Sequence, residues 1–236
     1  VIILVDTIIE NINITINKGE TVGIIGGTGS GKSTFVNLIA RFYDATSGSV
    51  LVNGVPVSQY PITQLRKQIA VVPQRALLFT GTVAENIRWG NTDASIADVK
   101  KAASIAQADE FIEHLPGQYG FNVERGGANL SGGQRQRLAI ARAVAAGPEI
   151  LILDDASSAL DFLTDANLRR AVRENSRGKT VLFVSQRVGT VKNADRIIVF
   201  EDGRIAGTGT HAELFGSCGT YREICLSQLS DEEARR

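Results

Sequence analysis

Val22-Gly-Ile-Ile-Gly26 is a short apolar run that leads through Gly27-Thr-Gly-Ser-Gly31 into Lys32-Ser-Thr-Phe-Val-Asn-Leu-Ile-Ala40. The first part reads as a buried strand and the last as a helix, with the glycines as the break between them. Two further apolar runs, Glu149-Ile-Leu-Ile-Leu-Asp154 and Thr180-Val-Leu-Phe-Val184, read as buried strands, and the pattern predicts a helix around Asp165 to Glu174 between them. Strands alternating with helices imply a parallel sheet covered on both faces. From about Thr82 to Ala146 helical patterns dominate, over Ile96 to Ala108 and Gln134 to Ala146, broken at Pro116-Gly117 and Gly126-Gly127. Ile8 to Ile16 alternates apolar and polar residues, and Ile197 to Ile205 turns at Asp202-Gly203, so both predict antiparallel strands at an edge. The expected fold class is an α/β core with an antiparallel β edge and an inserted α-helical subdomain.

With 236 residues, 43% apolar and 21% charged, the chain can bury one sizeable core. Its formal net charge is zero, so no whole-molecule field favours nucleic acid or anionic lipid, and no nucleic-acid partner is expected. Cys218 and Cys225 lack metal-ligand spacing and are expected to be free thiols in a reducing compartment. Val1 to Val5 is far shorter than the roughly 20 residues that a membrane helix needs and has no basic flank, so neither a span nor an export signal is expected.

Gly26 to Ser33 fits GxxxxGK[ST], a match expected by chance in roughly 1% of chains this long at average residue frequencies. The glycines let the backbone wrap phosphates closely, the loop N–H groups act as donors, and the following helix points its positive end at them. Gly26, Gly27, Thr28, Gly29, Ser30, Gly31, Lys32, Ser33 and Thr34 are therefore the candidate residues for the phosphates of a nucleoside triphosphate. Lys32 is expected to reach the β- and γ-phosphates and Ser33 to coordinate Mg²⁺. The metal needs an acidic partner at the end of a buried strand, and Asp154 is the candidate.

Leu130-Ser-Gly-Gly-Gln134 precedes the basic helix Arg135-Gln-Arg-Leu-Ala-Ile-Ala-Arg142, with the phosphate loop before it and the Asp154 strand after it. Together these resemble the nucleotide-binding domain of ABC transporters, a P-loop NTPase (RecA-like) fold. The resemblance implies ATP and Mg²⁺ as ligands. It also implies a head-to-tail dimer in which Ser131, Gly132, Gly133 and Gln134 close over ATP held by a second ABC domain. Independently of family, Ser131 can cap its helix and the glycines permit close approach to an anion. Gln74 looks like the glutamine that meets Mg²⁺ and couples to membrane domains; as a bare sequence feature it is a turn after Pro73. Asp161, in Ser157-Ser-Ala-Leu-Asp161, looks like the residue facing the partner domain; by itself it reads as a turn and helix cap. Leu78 to Ile87, Glu124 to Leu130 and Gly209 to Leu214 resemble the exporter subclass. That subclass implies transmembrane domains as partners, through the Gln74 region and residues 121–129, at the cytoplasmic face of a membrane. The expected organisation is one domain, 1–236, with core lobes 1–78 and 149–236 and a helical lobe 79–148.

Three departures from the family pattern stand out. Asp155 occupies the place of the glutamate that polarises the attacking water, and its carboxylate is one methylene shorter. Gln186 stands where the family carries a switch histidine; an amide can hydrogen-bond the γ-phosphate but cannot donate from an imidazolium. No aromatic residue precedes Phe35 to stack on adenine, so a shortened N-terminal segment is expected. The first two departures weaken the same hydrolytic step while Lys32, Ser33 and Asp154 remain. The pattern resembles the degenerate-site subunit of a heterodimeric exporter: Asp155, Gln186 and Gln74 form a slow catalytic group, and the intact signature serves a partner. A hydrolytically competent homodimer, or a soluble ABC ATPase without membrane partners, are the alternatives.

Overall fold

The computed structural model describes residues 8–235; the Val1 to Val5 run lies outside them. Strand β1 (Thr21–Gly26) is buried along its whole length, as a strand covered on both faces must be. Glycines lead from it into α1 (Lys32–Ile39). A small hairpin, β2 (Leu51–Val52) with β3 (Val55–Pro56), turns on Asn53 and Gly54, both left-handed at φ 51° and 78°, the two-residue turn that suits strand twist. Helix α2 (Ile62–Gln68) runs directly into β4 (Ile69–Val72). There follow β5 (Gly81–Thr82), α3 (Val83–Arg88), α4 (Ile96–Ile105), α5 (Asp109–Glu113), β6 (Asn122–Val123) and α6 (Gly132–Ala145). The chain continues through β7 (Ile150–Asp154), α7 (Phe162–Asn175), β8 (Thr180–Ser185), α8 (Val188–Val191), β9 (Arg196–Glu201) and β10 (Arg204–Gly209). It closes with α9 (His211–Ser217), α10 (Gly219–Gln228) and α11 (Asp231–Arg235).

These elements form two compact units, the described residues up to 65 with those from 182 onward, and residues 66–181. In the first unit the strand order is β10-β9-β1-β8. β1 and β9 run parallel, in register from Val22 opposite Arg196 to Gly26 opposite Phe200. β10 closes the edge antiparallel to β9 through a turn on Asp202 and Gly203, at φ 43° and 76°. The antiparallel edge read at Ile197 to Ile205 is thus present. The companion strand read at Ile8 to Ile16 is not: Asn11 turns left-handed at φ 56°, which breaks the extended run. Glu10 N–H still donates to the Gly203 carbonyl at 3.0 Å.

The core of this unit gathers Ile25, Val188, Val191, Ile197, Val199, Leu214 and Tyr221. Both cysteines are buried within it as free thiols. His211 lies against this core, its Nδ1 2.8 Å from the Tyr221 hydroxyl and its Nε2 3.0 Å from the Ala234 carbonyl. The carbonyl can only accept, so Nε2 carries the proton and Nδ1 accepts from Tyr221. Burial, with the Lys192 charge nearby, pushes the His211 pKa below its ordinary value. A lowered folded-state pKa makes the unfolded chain bind the extra proton, so this contribution is full above about pH 6.5 and is lost as pH falls from there through the lower folded-state value. Melting temperature is expected to fall between pH 7 and pH 5 with a steeper slope in the natural chain than in His211→Gln.

In the second unit β4 and β7 pair parallel, Ile69 opposite Ile150 through Val72 opposite Leu153. Where β8 begins, Thr180 N–H donates to the Glu149 carbonyl at 2.9 Å. Helices α3, α4 and α6 pack on one another, and each starts with a capping box: Thr82 with Glu85, Ser95 with Asp98, and Ser131 with Gln134. The helix read over Ile96 to Ala108 stops at Ile105, because Gln107 turns left-handed at φ 56° without a glycine to announce it. The α6 guanidinium of Arg142 donates to the Asn86 carbonyl at 2.8 Å, to Asn86 Oδ1 at 2.9 Å and to the Leu77 carbonyl at 2.8 Å. Asn86, itself buried, donates to the Phe79 and Thr82 carbonyls at 2.8 and 3.1 Å. This knot fixes the Leu78 to Ile87 segment against α6. Among the described residues no helix is long and apolar enough to cross a membrane.

Candidate nucleotide site

In the first unit, β1 delivers Gly26 next to the backbone of β9. A Cβ at Gly26 would stand 2.2 Å from the Phe200 carbonyl oxygen, so only glycine lets the chain turn there. Gly31, left-handed at φ 99°, opens α1 with no side-chain cap and no acidic residue in the first turn. The start of the helix carries the positive end of its dipole toward the loop. Gly27, Thr28 and Gly29 are exposed, and open space surrounds Gly27 and Gly29. Lys32 is 8% exposed, and its ammonium folds into the loop, donating to the carbonyls of Gly26 at 2.8 Å and Gly27 at 2.6 Å and to Ser30 Oγ at 3.3 Å. Ser33 is exposed and Thr34 half-buried. Gln186, just after β8, reaches this loop: the Thr28 hydroxyl donates to its Oε1 at 3.2 Å. With Oε1 so engaged, the NH₂ group is the donor end of the Gln186 amide.

In the second unit, β7 ends in Asp154, which is buried, and the next residue leaves the strand left-handed: Asp155 has φ 48°. The Gln74 amide donates to Asp155 Oδ2 at 3.0 Å, so two residues 81 positions apart meet. Ser131 and Gly132 are exposed at the start of α6. Ser131 Oγ accepts from Gln134 N–H at 3.2 Å and Ser131 N–H donates to Gln134 Oε1 at 2.9 Å, which leaves the hydroxyl proton for an outside acceptor. Gly133 lies against the Ala159 carbonyl, which a Cβ would approach to 3.1 Å. Asp161 caps α7, accepting from Thr164 N–H at 2.9 Å and from its hydroxyl at 2.7 Å. These bonds hold its carboxyl below the usual carboxylate range. Residues 121–129 form a loop closed by Asn129, which donates to the Asn122 carbonyl at 2.9 Å and accepts from Glu124 N–H at 3.0 Å.

The residues fit the ligands that the motifs imply. An ammonium, a row of exposed glycine backbone and an uncapped helix start are a donor set for polyphosphate. Ser33 in the first unit, and Asp154 and Gln74 in the second, are each hard oxygen donors of the kind that Mg²⁺ takes. Among the described residues no group of three or more His, Cys, Asp or Glu could form a metal cage; Mg²⁺ characteristically takes one or two protein ligands and completes its shell with phosphate oxygens and water.

Residues 9–158 match the protein family described as ABC transporter. The chain belongs to the ABC transporter family. An uncharacterised ABC transporter ATP-binding protein of Mycobacterium bovis is 46% identical over 224 residues, covering 94% of this chain and 38% of that protein. A protein of Staphylococcus aureus described as a putative multidrug export ATP-binding/permease protein is 45% identical over 217 residues, with 92% of this chain and 38% of that protein covered. Among solved structures, a bacterial Atm1-family ABC exporter with ATP bound superimposes with a TM-score of 0.91 at 36% identity, over 95% of this chain and 40% of the other. The chain therefore spans about two fifths of these relatives.

Several contacts of this ABC domain escaped the sequence reading, two of them at the motifs themselves. Thr28 with Gln186 joins residues 158 apart, and no local pattern marks it. Gln136, buried on α6, donates to the Pro73 carbonyl at 3.1 Å and so ties the signature helix to the Gln74 turn. Its signal was available: a polar residue one helical turn before buried Ile140, on a face otherwise apolar, needs a partner.

Proposed function

We propose that this chain is the ATP-binding domain of a membrane exporter and that its own nucleotide site binds ATP but hydrolyses it slowly. The exporter part rests on the match to an ATP-bound exporter and to an export ATP-binding/permease protein, and on Leu78 to Ile87. The slow site rests on one observation: Asp155 Oδ2 accepts from the Gln74 amide at 3.0 Å, which directs the carboxylate toward the Gln74 turn, on a side chain one methylene shorter than the family's glutamate.

Lys32 and the backbone of the loop from Gly27 to Thr34 would hold phosphate oxygens, and Ser33 of the first unit with Asp154 and Gln74 of the second would be the Mg²⁺ ligands, the metal supplying charge neutralisation when bound. Gln186 donates its amide to the terminal phosphate. Asp155 in this arrangement accepts a hydrogen bond from Gln74 and is withdrawn from the water it would polarise. Ser131 to Gln134, of which Ser131 and Gly132 are exposed at the start of α6, present a hydroxyl and helix N–H groups to nucleotide held by a second ABC domain, and Asp161 faces that partner. A different subunit is the favoured partner, since the signature is intact while the chain's own hydrolytic residues are altered. The transmembrane partners meet the Gln74 turn and residues 121–129 at the cytoplasmic face, where Phe79 and Trp89 stack 4.3 Å apart while 42% and 62% exposed. The helical lobe, 79–148, carries the signature, and lobes 1–78 and 149–236 the core. Closure of two such domains on ATP, and reopening when the γ-phosphate contacts are lost, drives the membrane domains.

Steady-state phosphate release by the purified chain tests the slow-site reading. Slow turnover with saturable Mg²⁺-dependent ATP binding is expected; rapid hydrolysis by the chain alone, abolished in Asp155→Asn, would establish a competent homodimer instead.

A further inference from the structure

The segment that carries Gln186 is fixed at the backbone of three consecutive residues. Arg187 N–H donates to the hydroxyl of buried Ser185 at 3.0 Å. The other two bonds come from a single distant side chain, Gln228, the last residue of α10. Its Nε2 donates to the Gln186 carbonyl at 2.7 Å, and its Oε1 accepts from Val188 N–H at 2.9 Å. α8 has only four residues, and its N-cap, Arg187, makes no side-chain capping bond. Gln228 therefore supplies from 40 residues away the acceptor that the first N–H of α8 lacks locally. The helix that bears it is anchored by Tyr221 and Cys225, both fully buried. A second tie joins the other end of α8 to the C-terminal region, where Lys192 Nζ donates to the Glu233 carbonyl at 2.7 Å.

Gln186 is thus held from both sides: its side-chain oxygen by Thr28 and its main chain by Gln228. An amide donor acts on an anion only while its direction is maintained, and each of these bonds removes a rotation that would turn it away. Ser185 restrains the Arg187 N–H locally, but the bonds to the Gln186 carbonyl and the Val188 N–H come from Gln228. We propose that Gln228 is a positioning residue for Gln186, so that the end of α10 sets how well the chain distinguishes a terminal γ-phosphate. The proposal rests on the reading above that Gln186 donates to that phosphate.

Binding of MgATP and of MgADP to the natural chain, Gln228→Ala, Gln186→Ala and the double variant tests it, with melting temperatures recorded beside each titration. ADP lacks the group that Gln186 reads. Gln228→Ala is therefore expected to weaken ATP binding about fivefold, less than the full loss of one hydrogen bond to a charged group because the Gln186 amide is misdirected rather than removed, and to leave ADP binding within about twofold. The double variant should be no worse than Gln186→Ala alone, since both act through one group. Gln228→Glu keeps the acceptor for Val188 N–H while removing the donor to Gln186, and it should show the same selective loss with an intact fold. Equal losses for ATP and ADP, or an unchanged ratio in both Gln228 variants while Gln186→Ala loses ATP preference, would overturn the proposal. An unchanged ratio in Gln186→Ala would overturn the terminal-phosphate reading itself, and the role of Gln228 with it.

Discussion

Asp155→Glu is expected to raise the turnover of ATP by roughly tenfold, and Asp155→Glu with Gln186→His by roughly a hundredfold, the double change reaching the lower end of the about 10²- to 10⁴-fold that a well-placed general base contributes. The added methylene carries the carboxylate beyond the position where Gln74 now holds it at 3.0 Å, and a base is effective only within hydrogen-bond reach of its water. The backbone opposes the change slightly. Asp155 sits left-handed at φ 48°, a conformation that aspartate tolerates better than glutamate, so a loss of up to about 1 kcal/mol of stability is expected alongside the gain in rate. Higher turnover with a slightly lower melting temperature is the signature to measure. Unchanged or reduced turnover in both variants would mean that Asp155 is not what limits the reaction.

The second large effect separates the phosphate loop from the signature. In a mixture with a partner ABC domain, Ser131→Ala should lower the partner's turnover by about 10²-fold, the usual consequence of removing one donor from a preorganised anion site. Lys32→Ala in the same chain should leave the partner's turnover within a few-fold while abolishing nucleotide binding to this chain. Ser131 also caps α6 through Gln134 N–H, so its loss is expected to cost about 1 kcal/mol of stability. Ser131→Thr serves as the control, because threonine keeps the cap. If Lys32→Ala and Ser131→Ala lowered the mixture's activity equally, the two-site asymmetry would fail.

What the sequence announced depends on how locally each feature is encoded. The strand, glycine loop and helix from Val22 to Ala40 follow from neighbouring residues and appear as read. So does the turn at Asp202 and Gly203, where two left-handed residues suit a two-residue hairpin. The Ile8 to Ile16 strand failed because alternation is only a permissive signal, and one left-handed asparagine, Asn11, interrupts it. The helix from Ile96 ran past its true end because Gln107 turns left-handed without glycine. Within the candidate site, the phosphate loop and the Ser131 cap are contiguous motifs and were legible. The meetings of Gln74 with Asp155, Thr28 with Gln186 and Gln228 with the Gln186 backbone join residues 81, 158 and 42 positions apart. Such contacts are set by tertiary packing, and single-sequence periodicity carries no record of them.

The central claim is that this chain retains ATP rather than consuming it. Incubation of the chain with radiolabelled MgATP, rapid gel filtration and chromatography of the bound nucleotide tests that claim most directly. Bound label recovered as ATP after many minutes is the expected result; bound label recovered as ADP within seconds, with free phosphate released, would contradict it.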